Sequence, residues 1–299
     1  MARHFDETNP VTGLDRRVAI AVDSCALLSP EFVDVHNVPV APMCINIGDD
    51  SFIDNPDLNY SDLYRRSARE PEIRGWASAP VPTEWLETIK NASPNVESVI
   101  CLTVSAGLSA SYDSARVAAE MSRTENKELD VRVVDSGTIS GALHLLATES
   151  VRATEQGLDA DAVIAHIELT KSSLQTIATL DNLHRIHHIA NIPRTLINLA
   201  HAVNVKPVVT FDIDEFRVVA KPLSMRSAIR RMLREISGDL GTETARFIVL
   251  HVDAPERARS IAAQIRARCD CELMLISDFH PFIGLYAGRG AIGIAWQKI

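Results

Sequence analysis

Positive charge is in short supply in this chain: 30 Lys and Arg stand against 39 Asp and Glu over 299 residues, a formal net charge of -9. A protein whose main partner is nucleic acid needs a concentrated basic surface to replace phosphate counterions, so that class is set aside. Long apolar runs are lacking too, and none approaches the length of a membrane span. The opening "MARHFDETNPVTGLDRR" is polar and carries both charge signs, so neither a secretory signal nor a membrane anchor is expected there, and the cytoplasm is the default location. Cysteine is sparse and odd in number, at five. Cys25, Cys44 and Cys101 lie in or beside apolar runs, as buried reduced thiols do. Cys269 and Cys271 form C-x-C, which is not a zinc-ribbon spacing. One stretch departs from the acidic balance: in "MRSAIRRMLREI" Arg226, Arg230, Arg231 and Arg234 recur at helical spacing, as a solvated helix face or a docking face for an acidic partner.

What is present is the composition of a globular protein, 46% apolar and 23% charged, at a length that suits two domains. Residues 1–15 read as a loose extension. "VAIAVDS" then opens a short continuous apolar run of the kind buried on both faces of a parallel sheet. "VPVAPMCINI" (38–47), "SVICLTV" (98–104) and "VRVVDS" (131–136) are further strand candidates. Helical patterns fall between and after them at 83–92, 113–123 and about 139–155, which reads as βαβ units. After a helix at about 159–172 the character changes. Five strand-like runs follow, and "VKPVVTF" and "EFRVVAK" flank a short acidic turn as a hairpin would. The expected fold class is therefore α/β. A mostly parallel N-terminal sheet with helices on both faces (16–172) precedes a mixed or antiparallel C-terminal sheet with helices on one side (173–299).

Chemistry-bearing motifs are few. "LTVSAGLSASYDSA" (102–115) passes from an apolar run into small hydroxyl-bearing residues and then a helical pattern. It suits either an ordinary tight strand-to-helix turn or a loop that lets a ligand approach backbone N–H groups. Asp23-Ser24 and Asp135-Ser136 end two strands, and a third runs into Ser105. In open parallel sheets ligands lie beyond the carboxyl ends of strands, so these serines could share one crevice. "GRGAIG" (288–293) matches a dinucleotide fingerprint, but too little chain follows it for a helix and a distant acid, and a Gly-rich turn before a last strand fits better. "LHRIHH" puts His184 and His188 on one helical face without a third metal ligand. No G-x-S-x-G elbow pairs a serine with a base.

The order of these segments resembles the DegV family, bacterial proteins that hold a fatty acid between two α/β domains. The likeness runs over roughly residues 17–297. It includes "VAIAVDS" for the opening V-D-S strand, "ASAP" (77–80) for the T-S-Q-P loop, and "LTVSAGLSASYDSA" for L-S-S-x-L-S-G-T-Y-x-S-A. "VRVVDS" stands for the second D-S strand and "AGRGAIGI" for H-x-G-P-G-x-x-G. The resemblance implies an apolar tunnel for a long-chain fatty acid or related lipid, no cofactor, no metal, and presentation of the lipid to a separate kinase. It also locates departures. Ala77 and Ala106 stand where the family places carboxylate-binding hydroxyls, Tyr286 where it has His, Arg289 where it has Pro, and His188 where it has the Arg of a G-G-R turn. Ser78, Ser105, Ser109, His188, Arg289 and Tyr286 are thus the head-group candidates, and Ser24 and Ser136 mark the strand-end crevice. The expected function is a lipid carrier with an altered head-group site and no chemistry of its own. The alternatives are an enzyme, either a small acyl-ester hydrolase using Ser105 or Ser109 or a catalyst using Tyr286, and a lipid sensor whose partner docks on the Arg226–Arg234 helix.

Overall fold

The structure is a computed structural model that describes residues 17–70, 75–92, 94–180, 205–212 and 215–299. The N-terminal extension and "LHRIHH", with His184 and His188, lie outside the described residues. In chain order the first half comprises β1 (Val18–Asp23), a 3-10 turn (Ser24–Ala26), α1 (Pro30–His36), β2 (Val40–Ala41), β3 (Cys44–Ile47) and β4 (Asp50–Ile53). It continues with α2 (Tyr60–Arg69), β5 (Gly75–Ser78), α3 (Pro82–Ala92), β6 (Ser98–Thr103), α4 (Ser111–Glu125), β7 (Asp130–Asp135), α5 (Ser140–Glu155) and α6 (Ala160–Lys171). After these come β8 (Leu174–Thr179), β9 (Val208–Asp212), β10 (Glu215–Ala220), α7 (Met225–Leu240) and β11 (Ala245–His251). The last are α8 (Pro255–Arg266), β12 (Cys271–Asp278), α9 (Pro281–Ala287) and β13 (Ile292–Lys298).

The fold is α/β, with a parallel sheet in the order β2-β1-β6-β7 and a mixed sheet in the order β10-β9-β8-β13-β11-β12. In the second sheet only β11 and β12 run parallel; β10 and β9 form the antiparallel pair expected around the acidic turn. Strand alternation divides the apolar side chains cleanly. On β1, Ala19 and Ala21 join the core under α3 and α4, whereas Ile20 and Val22 face the other way. On β11, Phe247 and Val249 pack with Met232, Ile236 and Ile261 of α7 and α8, whereas Ile248 and Leu250 face the core that contains α5. Helix α5 thus lies between the two sheets and is buried along nearly its whole length. Close approach to the second sheet requires small residues: a Cβ on Gly141 would sit 3.0 Å from that of Ala295 and 3.3 Å from that of Ile248.

Two segments differ from the sequence expectation. "VPVAPMCINI" is not one strand. Pro42, which has no N–H to give a ladder, interrupts it, so β2 pairs with β1 while β3 leaves to form a small antiparallel sheet in the order β4-β3-β5. "ASAP" is not wholly a loop either, because Ala77 and Ser78 close β5 opposite Ile45 and Cys44.

Helix α9 is fixed to the first half by a close contact at Gly284. A Cβ there would meet the Tyr64 ring, whose hydroxyl donates to the Phe279 carbonyl. Gly284→Ala is expected to destabilise the fold by about 1–3 kcal/mol through overpacking. Gly238→Ala, on an open helical face of α7 with nothing within 4 Å of the new methyl, is expected to stabilise it by about 0.4–1 kcal/mol. Urea unfolding of both variants checks the pair, and equal effects would contradict the packing at Gly284.

Candidate functional site

Two strand-end carboxylates build the loop that follows β6. Asp23 is fully buried, and its Oδ2 accepts the Val104 N–H at 2.8 Å and the Ser111 hydroxyl at 2.7 Å. From the other side Asp135 Oδ1 accepts the N–H groups of Ala106 and Gly137, each at 3.0 Å. The Ser105 N–H donates to the Thr138 carbonyl at 2.9 Å, and the Ser105 carbonyl accepts from Leu108 and Ser109. The loop is therefore a held turn, and the N–H groups of residues 104–106 are spent inside the protein rather than offered to a ligand. This removes part of the anion-binding appeal that small side chains suggest in the sequence. Burial pushes the Asp23 carboxyl up to about 6, against the opposing pull of the Ser111 and Val104 hydrogen bonds and of nearby His280.

The described head-group candidates and their neighbours occupy different settings. Ser114 donates to the Pro80 carbonyl at 2.6 Å and so ties the end of the "ASAP" segment to α4. Ser78 is exposed and accepts a hydrogen bond from Asn46 Nδ2 at 3.2 Å; Ala77 is half-buried, and Ala106 is exposed. Tyr286 is buried in α9, which packs on β5 through Leu285 beside Gly75. Arg289, just beyond α9, is ion-paired to Asp253 at 2.5 Å, and Arg65 reaches the same carboxylate at 3.3 Å. The strand-end serines do not share one crevice. Ser105 is fully buried, Ser109 accepts from the Ser111 N–H, and Ser136 exchanges hydrogen bonds with Thr138 beside a pocket of about 20 Å³. Ser24 opens instead on the larger cleft described below. On α7, Arg226, Arg230 and Arg234 are exposed, and Arg231 pairs with Glu235.

A buried cluster that motif reading does not reveal lies where the halves meet. His280, at the start of α9, has its Nε2 2.6 Å from Asp54 Oδ2, and its Nδ1 accepts the Phe282 N–H at 3.1 Å. The second bond assigns the proton to Nε2, which donates to Asp54. Tyr60 donates to the other Asp54 oxygen at 2.7 Å. Burial raises the Asp54 carboxyl, but the hydrogen bonds from His280, Ser24 and Tyr60 outweigh it and hold the group below its usual range. Ser24 Oγ lies 3.4 Å from the same His280 Nε2 and accepts the Met43 N–H at 3.0 Å. A serine-histidine-acid relay needs serine and acid on opposite ring nitrogens, so this cluster is a satisfied carboxylate and not a charge relay. His280 and Asp54 are 226 positions apart, and no local spacing announces them.

Beside the cluster opens a cleft of about 670 Å³, between the carboxyl end of β1, the start of α1, the loop after β4 and the last residues of β12. It therefore touches both sheets. Leu27, Leu28, Val33, Val40, Ile53 and Leu58 give it apolar walls, while Asp23, Asp34, Asp54 and Asp278 supply its charge. Among the described residues no group of three or more His, Cys, Asp or Glu is arranged to hold a metal ion, and no helix is long and apolar enough to cross a membrane.

Residues 17–298 match the family model described as "Uncharacterised protein, DegV family". A DegV domain-containing protein of Halalkalibacterium halodurans is 23% identical over 282 residues, which is 94% of this chain and 98% of that one. Among solved structures, a fatty-acid-binding DegV family protein from Thermus thermophilus superposes with a TM-score of 0.83 at 19% identity, covering 95% of this chain and 100% of that one. The Streptococcus pneumoniae fatty acid kinase B3 protein loaded with linoleic acid gives 0.78 at 16%, covering 94% and 99%. At these identities the structural likeness speaks for the fold.

The buried Asp23 carboxyl yields a pH signature. Its folded pKa, about 6, lies above the ordinary 3.8, so protonation favours the folded state. That contribution is complete below pH 3.8 and is lost as pH rises through about 6. The stability of the native chain minus that of Asp23→Asn should therefore fall by about 3 kcal/mol across this window. Denaturant midpoints at a series of pH values measure it, and a flat difference would show that the carboxylate is not desolvated.

Proposed function

Because the chain belongs to the DegV family, we propose that it binds a single-chain lipid between its two halves, with the acyl chain against the apolar walls of the cleft and an altered head-group site. The observation that carries this reading is the cleft itself. It spans both sheets, is mostly apolar, and its volume of about 670 Å³ falls in the range of small-molecule sites. The halves divide near residue 172, so that the ligand is enclosed by residues 16–172 on one side and 173–299 on the other. On this reading the protein works in the cytoplasm as a carrier with no chemistry of its own and hands its lipid to a separate kinase; the Streptococcus pneumoniae neighbour is named a fatty acid kinase B3 protein loaded with linoleic acid.

Against the hydrolase alternative stand the complete burial of Ser105 and the use of one ring nitrogen of His280 for both Ser24 and Asp54. The altered head-group site rests on Ala77 and Ala106, which bring no hydroxyl to the ends of β5 and β6, and on Arg289, which Asp253 already holds.

Purified protein extracted into organic solvent should release a single-chain lipid detectable by mass spectrometry. An empty protein that also fails to take up any lipid would end the carrier reading. Ala106→Ser restores one hydroxyl toward a carboxylate, and a hydrogen bond to a charged group contributes roughly 1.5–3 kcal/mol. Fatty-acid affinity should accordingly rise about tenfold or more in a titration; no change would mean that residue 106 does not face the head group.

A further inference from the structure

Residues 27–36 run as a strap along one side of the cleft. Leu27, Leu28, Ser29, Pro30, Val33 and Asp34 all line it, so this one segment, which ends in α1, supplies much of a wall. Its hold on the rest of the protein is narrow. Within α1 only Phe32 and His36 are buried, their rings 4.3 Å apart, while Pro30, Glu31, Asp34 and Val35 are exposed. A helix of seven residues is not stable by its own hydrogen bonds, so its place depends on these anchors.

Both ends of the strap are tied to α5 through a histidine. At the first end the Leu27 carbonyl accepts from His144 Nδ1 at 3.1 Å. At the other, His36 Nδ1 lies 2.6 Å from Glu155 Oε1, and both side chains are buried. A carboxylate only accepts, so His36 Nδ1 carries the proton. The backbone turns into the left-handed region at each end as well, with φ of 56° at Leu27 and 49° at Asn37. Asn37 closes α1 in the ordinary way, its N–H and that of Val38 both returning to the Val33 carbonyl. Leu27 is the strained position. A bulky side chain rarely takes this conformation, and such strain persists only where surrounding contacts hold it. Hinge motions place their φ/ψ changes at a few residues at the ends of elements, where these two stand.

We propose that the strap is a gate to the cleft: α1 swings on Leu27 and Asn37 to admit and release the acyl chain, and the His36–Glu155 bond latches it shut. This rests on the lipid-carrier reading and adds the route by which the ligand enters and leaves. Swinging α1 outward bares the length of the wall, exposes only Phe32 and His36 of the helix, and leaves both sheets paired. The latch must break before entry and before exit alike, so its strength sets both rates and not their ratio.

Native-state hydrogen exchange on the unsubstituted full chain tests the motion itself. Amides of α1 should exchange through a local opening, with protection about a hundredfold or more below that of β1 and β6. Glu155→Gln, which keeps the side-chain shape and removes its charge, tests the latch: α1 protection should fall a further three- to tenfold or so relative to β1 and β6. Stopped-flow mixing of the lipid-stripped chain with cis-parinarate and with the corresponding alcohol, two fluorescent single-chain probes, gives the rates. The variant should raise association and dissociation by a common factor of about three to ten and leave Kd within about twofold. Amides of α1 as protected as those of β1 and β6 in the native chain overturn the gate, whatever the variant does. Unchanged rates in the variant, or a Kd altered through dissociation alone, overturn it as well. Each of these leaves the carrier reading standing while a probe binds; if neither probe binds the native chain, the carrier reading has failed and the gate with it.

Discussion

Helix α5 is the constraint on which the rest of this structure depends. It is buried on nearly every side, with one sheet on each flank, and such a position sets strict terms for its residues. Small side chains let the second sheet approach at Gly141, and the polar groups must be satisfied within the helix. Thr148, Ser150 and Thr154 meet that requirement by donating to carbonyls of their own helix, at His144, Leu146 and Val151. A helix that is neither oily all round nor amphipathic can therefore be interior. Because it contacts β1 on one side and β11 and β13 on the other, it fixes the relation of the two sheets, and with it the cleft that both sheets border.

The strand-end aspartates are the second layer of this construction. Asp23 gives up solvation to gather Val104 and Ser111, and Asp135 gathers Ala106 and Gly137. Between them they hold the loop after β6 through backbone N–H groups and one hydroxyl. The protein accepts a carboxyl displaced toward neutral pH in exchange for a defined loop at the carboxyl edge of its parallel sheet. Loops at such edges have few regular hydrogen bonds of their own, and a buried acceptor with two lone-pair sites per oxygen is an economical substitute.

These layers were legible in the sequence to different degrees. Apolar runs such as "VAIAVD" and "SVICLT" are read directly because a strand buried on both faces has no polar alternation, and the structure places both in the parallel sheet. The hairpin of β9 and β10 is read from its acidic turn. The small sheet β4-β3-β5 is not, since its strands are four residues each and Pro42 decides where one begins. Residue types at Ser24, Ser105 and Ser136 suggested a common crevice, but a strand end says nothing of whether the next side chain turns inward. Ser105 does, and Ser24 does not. The Asp54–His280 pair is invisible for a simpler reason: buried ion-pair partners brought together by tertiary packing leave no periodic trace, and His280 in sequence is only a helix-capping residue before Pro281.

The way the loop is held also explains how the side chains at positions 77 and 106 can change without cost to the fold. Ala106 is fixed through its N–H, so the side chain at that position is free to be methyl or hydroxymethyl with the same backbone. Ala77 is fixed by its register opposite Ile45, which likewise does not depend on its side chain. Neither position contributes a side-chain hydrogen bond that the architecture needs. Arg289 is different, because pairing with Asp253 joins the turn after α9 to the loop after β11. The side chains at 77 and 106 are thus free to vary while α5, the two sheets and the strand-end carboxylates continue to specify the same backbone frame.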